Sequence, residues 1–281
     1  MNWDTALKEF MSSDHIKEVK AKVKEDKKTM NVYPDAKDMF RALHLCELQN
    51  VRVVILGQDP YHTPGTADGL CFSTRQDKRP PSLNVIFKEI YRDLQIYQER
   101  NLIMEEYFPT NSLENWTKLG FLLLNTSLTV VEGKAGSHAD IGWNKFTEKV
   151  IEIIGTEVKR RVIFMLWGKK AEEYIPLIEK SGKDLYFTAP HPAAEMYGNE
   201  KKFTGCGHFS LAMNIISSWA SKSNPDYQFS EEIESVIKKL YPESDRILEY
   251  KNKGWIFSTP LNNEKHLKNC NIFESLISTK N

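Results

Sequence analysis

Cysteine is scarce in this chain. Cys46, Cys71, Cys206 and Cys270 stand far apart among 281 residues, and no C-x-x-C pair occurs. That spacing argues against a disulfide scaffold and against a zinc or iron–sulfur site, and is read as reduced, partly buried thiols in a cytosolic-type compartment. Long apolar runs are also missing, and none approaches the ~20 residues that cross a bilayer. The opening stretch MNWDTALKEF lacks a basic-then-apolar leader pattern, so neither export nor membrane insertion is expected and a cytoplasmic location is. Charge of one sign has no excess, since Lys plus Arg and Asp plus Glu are 38 each. That balance argues against a general nucleic-acid coat protein, though not against an enzyme that touches a few phosphates through a local patch. There is no internal repeat and no low-complexity stretch. What is present is 41% hydrophobic and 27% charged residues, enough for a real core inside a soluble surface.

Four short apolar runs read as buried strands: Val51 to Leu56, Phe121 to Leu124, Val162 to Trp167 and Leu185 to Thr188. Near-continuous apolarity suits a sheet covered on both faces. Helical stripes lie between them. Leu83, Ile86, Phe87, Ile90 and Leu94 form one, with Ser82 placed to cap its start. Trp143, Phe146, Val150 and Ile153 form a second, and Ala171, Tyr174, Ile175 and Ile178 a third. Phe209, Ala212, Ile215, Ile216 and Trp219 form a fourth. The alternation predicts an α/β fold, a parallel sheet with right-handed crossovers. KSNPDYQF, from residue 222, reads as a linker. Beyond it, Ile233, Val236, Ile237 and Leu240 predict a helix that Ser230 can cap, GWIFSTP a strand, and His266 to Ile277 another helix. Residues 222–281 hold nine basic and nine acidic residues, so this tail is not a basic DNA-binding arm.

Ligands of open α/β sheets bind beyond the carboxyl ends of the strands. The four predicted strands are followed by GQDPYHTPG (57–65), Asn125, WGKKA (167–171) and APHPAAE (189–195). This puts a carboxylate, an amide and an imidazole on one rim. Each has a plainer reading: Gln58 and Asp59 as turn formers, Asn125 as a helix cap, His191 as a surface histidine beside Pro192. Their joint placement favours a site.

The ordered set GQDPYH, GLCFS, PPSL, LLLN, HADIGW, HP and GCGHFS resembles the family 1 uracil-DNA glycosylases over roughly residues 30–220. The resemblance implies a central parallel four-stranded sheet flanked by helices and a monofunctional glycosylase that flips uracil out of DNA and hydrolyses its N-glycosidic bond. It implies that Asp59 positions or activates water and offsets charge on the sugar, while His191, as a neutral imidazole, donates to uracil O2. Asn125 would read the base edge, Tyr61 would exclude the thymine methyl, Phe72 would stack on the flipped ring, and Gln58 would supply backbone contacts to the base. His62 would lie near the sugar and a phosphate. Pro80, Pro81, Ser82 and Gly168 would belong to loops holding the DNA backbone. No cofactor or metal is implied. Uracil-containing DNA is the expected partner, with a protein inhibitor or repair protein as a further one, and the enzyme is expected to be a monomer.

The chain departs from the family pattern in two loops. Lys169 and Ala193 stand where the family commonly has serines, and the usual wedge leucine is unmatched, which leaves Met196 and then Tyr197 as candidates. These changes bear on DNA grip rather than on base chemistry. The expected organisation is a catalytic domain over 1–222 with a C-terminal extension over 223–281. Two other readings stand beside uracil excision: a glycosylase for another modified pyrimidine, and a catalytically weak DNA-binding scaffold.

Overall fold

A computed structural model of the protein describes residues 1–93, 108–197 and 202–220. Leu94, the 222–229 linker, Cys270 and the secondary structure expected beyond Ser230 lie outside the described residues, as does the side chain of Trp219. The chain divides into two compact units. One comprises 1–87 with 108–203, and the other 88–107 with 204–281.

Four strands form the central sheet: β2 (Val53–Gly57), β3 (Phe121–Asn125), β5 (Ile163–Trp167) and β6 (Leu185–Ala189). Their order is β3-β2-β5-β6, and every pairing is parallel. The registers align Gly57 with Asn125 and Trp167 with Ala189, so the carboxyl ends fall on one rim. In β2, β3 and β5 every residue is buried, which is why these runs are apolar throughout rather than alternating. Two short strands, β1 (Val32–Tyr33) and β4 (Val130–Val131), pair antiparallel beside it.

The helices are α1 (Trp3–Met11), α2 (Asp14–Asp26), α3 (Arg41–Leu45), α4 (Pro81–Asp93), α5 (Glu114–Lys118), α6 (Trp143–Glu157), α7 (Lys169–Glu172), α8 (Ile175–Glu179) and α9 (His208–Ala220). Two expectations need correction. Helix α4 starts at Pro81, where a missing N–H costs nothing, so Ser82 sits inside the first turn and does not cap it. The stripe 171–178 is two short helices, because Pro176 cannot donate back to Glu172 and its ring disfavours a continuous turn. Helices α1 and α2 were not anticipated, although their caps are ordinary: Asn2 accepts from Thr5 N (2.9 Å) and Ser13 from Ile16 N (3.4 Å). Ile16, Val19 and Val23 line the buried face of α2.

In the second unit, the fully buried Glu89 accepts the N–H groups of Gly205 and Gly207, each at 2.8 Å, and pairs with Arg92. Asp93 accepts Ser210 N at 2.8 Å and its hydroxyl at 2.7 Å. The GCGHFS motif is therefore an anchored turn leading into α9.

Candidate active site

The rim begins at Gly57. A Cβ there would lie 2.3 Å from Asn125 Oδ1 and 2.7 Å from Cys71 Cβ, so only hydrogen fits. This close approach sets the side chain of Asn125 against the end of β2. Asn125 is buried, and its side-chain amide makes no hydrogen bond to protein among the described residues. It does not cap a helix. The chain after β2 is tied to the chain after β3: Thr126 N donates to Gly57 O (2.8 Å), and Ser127 N (2.9 Å) and Thr126 Oγ1 (2.7 Å) donate to Gln58 O. The Gln58 side chain is exposed.

Asp59 is half-buried, and its Oδ2 accepts the backbone N–H of Gly136 at 2.6 Å. Burial raises its pKa above the ordinary carboxylate value of 3.8, opposed by the Gly136 bond and by nearby His62. The loop that carries Gly136 is fastened from behind by the HADIGW segment. Ser127 Oγ donates to His138 O (3.1 Å), and Ser137 Oγ accepts from Val131 N (2.8 Å). Thr129 Oγ1 accepts from Trp143 Nε1 and lies against His138 Nδ1, each at 2.7 Å. His138 then donates from Nε2 to Asp26 (3.2 Å). Burial lowers the His138 pKa against the opposing pull of Asp26, which favours the neutral ring. Sequence reading missed the part played by Gly136. The signal available was the glycine itself, four residues before Asp140 in a loop leading into α6.

Tyr61 hydroxyl donates to Phe72 O (3.1 Å) and lies 3.0 Å from Ser82 Oγ. Phe72 has φ +61°, and no other non-glycine among the described residues has positive φ. For a bulky L residue this costs about 1–3 kcal/mol, and such strain persists only where the surroundings over-determine it. Phe72 as a whole residue is 9% exposed. Its ring centroid lies 5.5 Å from that of Trp167 and 5.6 Å from the His191 ring.

His191 Nδ1 accepts the N–H of Ala193 at 3.1 Å. A ring nitrogen that accepts carries no proton, so in the neutral form the proton is on Nε2, which is left as a donor. Burial lowers this pKa below 6.5, favouring that neutral form. Gly168, at φ +95°, lets the loop after β5 approach: a Cβ there would be 3.0 Å from His191 Cβ.

The structure thus brings Gln58, Asp59, Tyr61, Phe72, Asn125, Gly168 and His191 to one end of one sheet, with Ser82 joined through Tyr61. His62 is half-buried, and its carbonyl accepts Gly133 N at 3.0 Å. Pro80 is buried and Pro81 exposed at the start of α4. Lys169 is exposed at the first residue of α7, and Lys170 pairs with Glu173 at 3.0 Å. Met196 and Tyr197 are 54% and 81% exposed. Among the described residues, no hydrogen bond, ion pair or ring contact joins Lys169, Met196 or Tyr197 to the cluster.

Residues 43–215 match the sequence model of the Uracil DNA glycosylase superfamily. A uracil-DNA glycosylase of Vibrio vulnificus is 47% identical over 183 residues, covering 64% of this chain and 75% of the relative. That of Azotobacter vinelandii is 41% identical over 217 residues, covering 76% of this chain and 88% of its own. Among solved structures, mimivirus uracil-DNA glycosylase aligns with a TM-score of 0.65 at 23% identity, over 78% of this chain and 84% of that one. A variant of the mimivirus protein, with the same TM-score, was solved in complex with UGI.

Proposed function

This chain belongs to the Uracil DNA glycosylase superfamily, and from that premise we propose that it removes uracil from DNA and that the rim residues divide the work as follows. The enzyme is a DNA glycosylase that hydrolyses the N-glycosidic bond and leaves an abasic site. One observation carries the residue assignments: a half-buried carboxylate, a buried amide with no protein partner among the described residues, and an imidazole whose Nδ1 accepts a backbone N–H converge at the ends of three parallel strands.

The target atom is hidden in the base stack, so the nucleotide must first be extruded. As the bond breaks, the sugar gains positive charge and the leaving base negative charge. Asp59, held by Gly136, offsets the first and orients the attacking water. His191 donates from Nε2 to uracil O2 and meets the second. Asn125 accepts from uracil N3–H and donates to O4. Cytosine presents the reverse pattern and leaves both groups unpaired, at about 1–3 kcal/mol each. Tyr61, fixed through its hydroxyl to Phe72 and Ser82, fills the space a thymine methyl would need. Phe72 stacks on the base, and Gln58 contributes backbone contacts.

On the DNA side, His62 lies near the sugar and a phosphate, Pro80, Pro81, Ser82 and Gly168 hold the backbone, and Lys169 replaces a neutral serine contact with charge. Lys169 is favoured over Lys170 because Glu173 already holds the latter. Met196 is the wedge and Tyr197 the alternative, both being exposed. Residues 1–222 form the catalytic part and 223–281 an extension, in line with the span of the family match. No helix among the described residues is long and apolar enough to cross a membrane. A cytoplasmic location, beside the chromosome, fits relatives that come from bacteria. Uracil-containing DNA is the main partner and a protein inhibitor of the UGI kind a second.

The test uses labelled oligonucleotides carrying uracil, cytosine, thymine or hydroxymethyluracil at one position, followed by alkali to cut abasic sites. Cleavage at uracil alone supports the reading. Cleavage at thymine or hydroxymethyluracil supports a broader glycosylase, and binding without cleavage supports a scaffold.

A further inference from the structure

Phe72 needs an explanation that the base chemistry does not provide: something must hold a large aromatic residue at φ +61°. The turn around it is bracketed by one buried carboxylate. Asp68 is 2% exposed. Its Oδ1 accepts Leu70 N at 3.1 Å, before Phe72, and its Oδ2 accepts Ser73 Oγ at 2.7 Å, after Phe72. Ser73 Oγ in turn accepts Leu113 N at 3.0 Å, which fixes the hydroxyl proton towards Asp68. Arg41, 9% exposed, contacts Asp68 Oδ2 at 3.0 Å and donates to the Asp68 carbonyl at 2.9 Å, while its other terminal nitrogen meets Glu114. A buried carboxylate without a cation would be strongly disfavoured, so Arg41 is what allows Asp68 to span the turn. Tyr61 holds the turn at a further point, the carbonyl of Phe72.

We propose that Asp68 is a positioning residue that acts through Phe72: with Arg41 and Ser73 it locks the strained turn, so that the ring forms a ready-made platform for the flipped base. It touches neither base nor sugar. Its effect is to lower the ordering cost when the base arrives, and the loss on its removal falls on base capture. The proposal rests on the reading of Phe72 as the stacking residue.

The test is a double-mutant cycle read by inhibition with free uracil, alongside single-turnover excision and melting temperature. Asp68→Asn keeps the shape but removes an acceptor and the charge facing Arg41. Ser73→Ala removes the second strut, together with the acceptor for Leu113 N, and leaves the Arg41 pair intact, so it carries the test if Asp68→Asn does not fold. Each should weaken uracil inhibition about fivefold or more, the low end of what stacking a base on an aromatic ring is worth. In a Phe72→Ala background, neither should weaken it further, because no ring remains to be positioned. The melting temperature falls in both backgrounds, which separates structural cost from positioning. Equal loss of uracil affinity in both backgrounds, or no loss in either, overturns the proposal. A wild type that excises uracil while the cycle is additive overturns only this role for Asp68. A wild type that excises no uracil overturns the functional reading itself.

Discussion

Gly168→Ala tests the geometry behind the imidazole. The residue sits at φ +95°, and an added Cβ would lie 3.0 Å from His191 Cβ and 3.5 Å from His191 N. The left-handed backbone alone costs about 1–3 kcal/mol, which lowers the melting temperature of a domain this size by about 2–4 °C per kcal/mol. The contact adds a second effect. Carbon atoms pack best at about 3.5–4.0 Å, so His191 must retreat by about 0.5 Å. A 1 Å misplacement of a reacting group costs about 100-fold, so half that distance predicts a loss of about tenfold in single-turnover excision. In a His191→Ala background the same change should lower the melting temperature equally and leave the residual rate unaltered, since no donor remains to be displaced. An unchanged rate in the otherwise wild-type protein, or a tenfold loss in both backgrounds, would show that Gly168 does not act through His191.

The rate should fall on the acid side as pH drops through the pKa of Asp59, which burial places above 3.8, and any histidine break should lie below 6.5. A rate that declines as pH rises through 6.5 would mean that a protonated histidine is required. Tyr61→Ala should admit thymine and Asn125→Asp cytosine, each weakly; variants active on uracil yet still blind to both would place discrimination elsewhere. On the DNA side, Met196→Ala should slow excision from duplex more than from single strands, because only a duplex leaves a stack to plug. Lys169→Ser should reduce the slope of log affinity against log salt by about one unit, and equal losses on both substrates or an unchanged slope would remove these residues from the interface.

Much of this was legible in the sequence because it rests on local chemistry. Buried parallel strands must be apolar throughout, so Val53–Gly57, Phe121–Asn125, Ile163–Trp167 and Leu185–Ala189 stood out, with ends shifted by at most two residues. Strand ends carry ligand chemistry in such sheets, which directed attention to Asp59, Asn125 and His191. What was not legible depends on contacts distant in sequence. The Gly136 N–H reaches Asp59 across 77 residues, and Asp26 reaches His138 across 112; no local pattern encodes either. Ser82 looked like a cap because serine often is one. Its hydroxyl instead meets Tyr61, a partner visible only once the loops are folded together. The break within 171–178 was readable in principle from Pro176, whose cost to a helix outweighs the apolar spacing around it.

The role proposed for Asp59, just beyond the end of β2, is to drive chemistry on a base it does not itself bind. Its most direct test is the single-turnover excision rate of Asp59→Asn on a uracil-containing duplex, measured beside affinity for a duplex carrying a non-cleavable uracil analogue. The expected result is a loss in rate of about 10²–10⁴-fold with affinity little changed, since Asn keeps an acceptor for the Gly136 N–H but carries no charge. An excision rate equal to that of the wild type would contradict it.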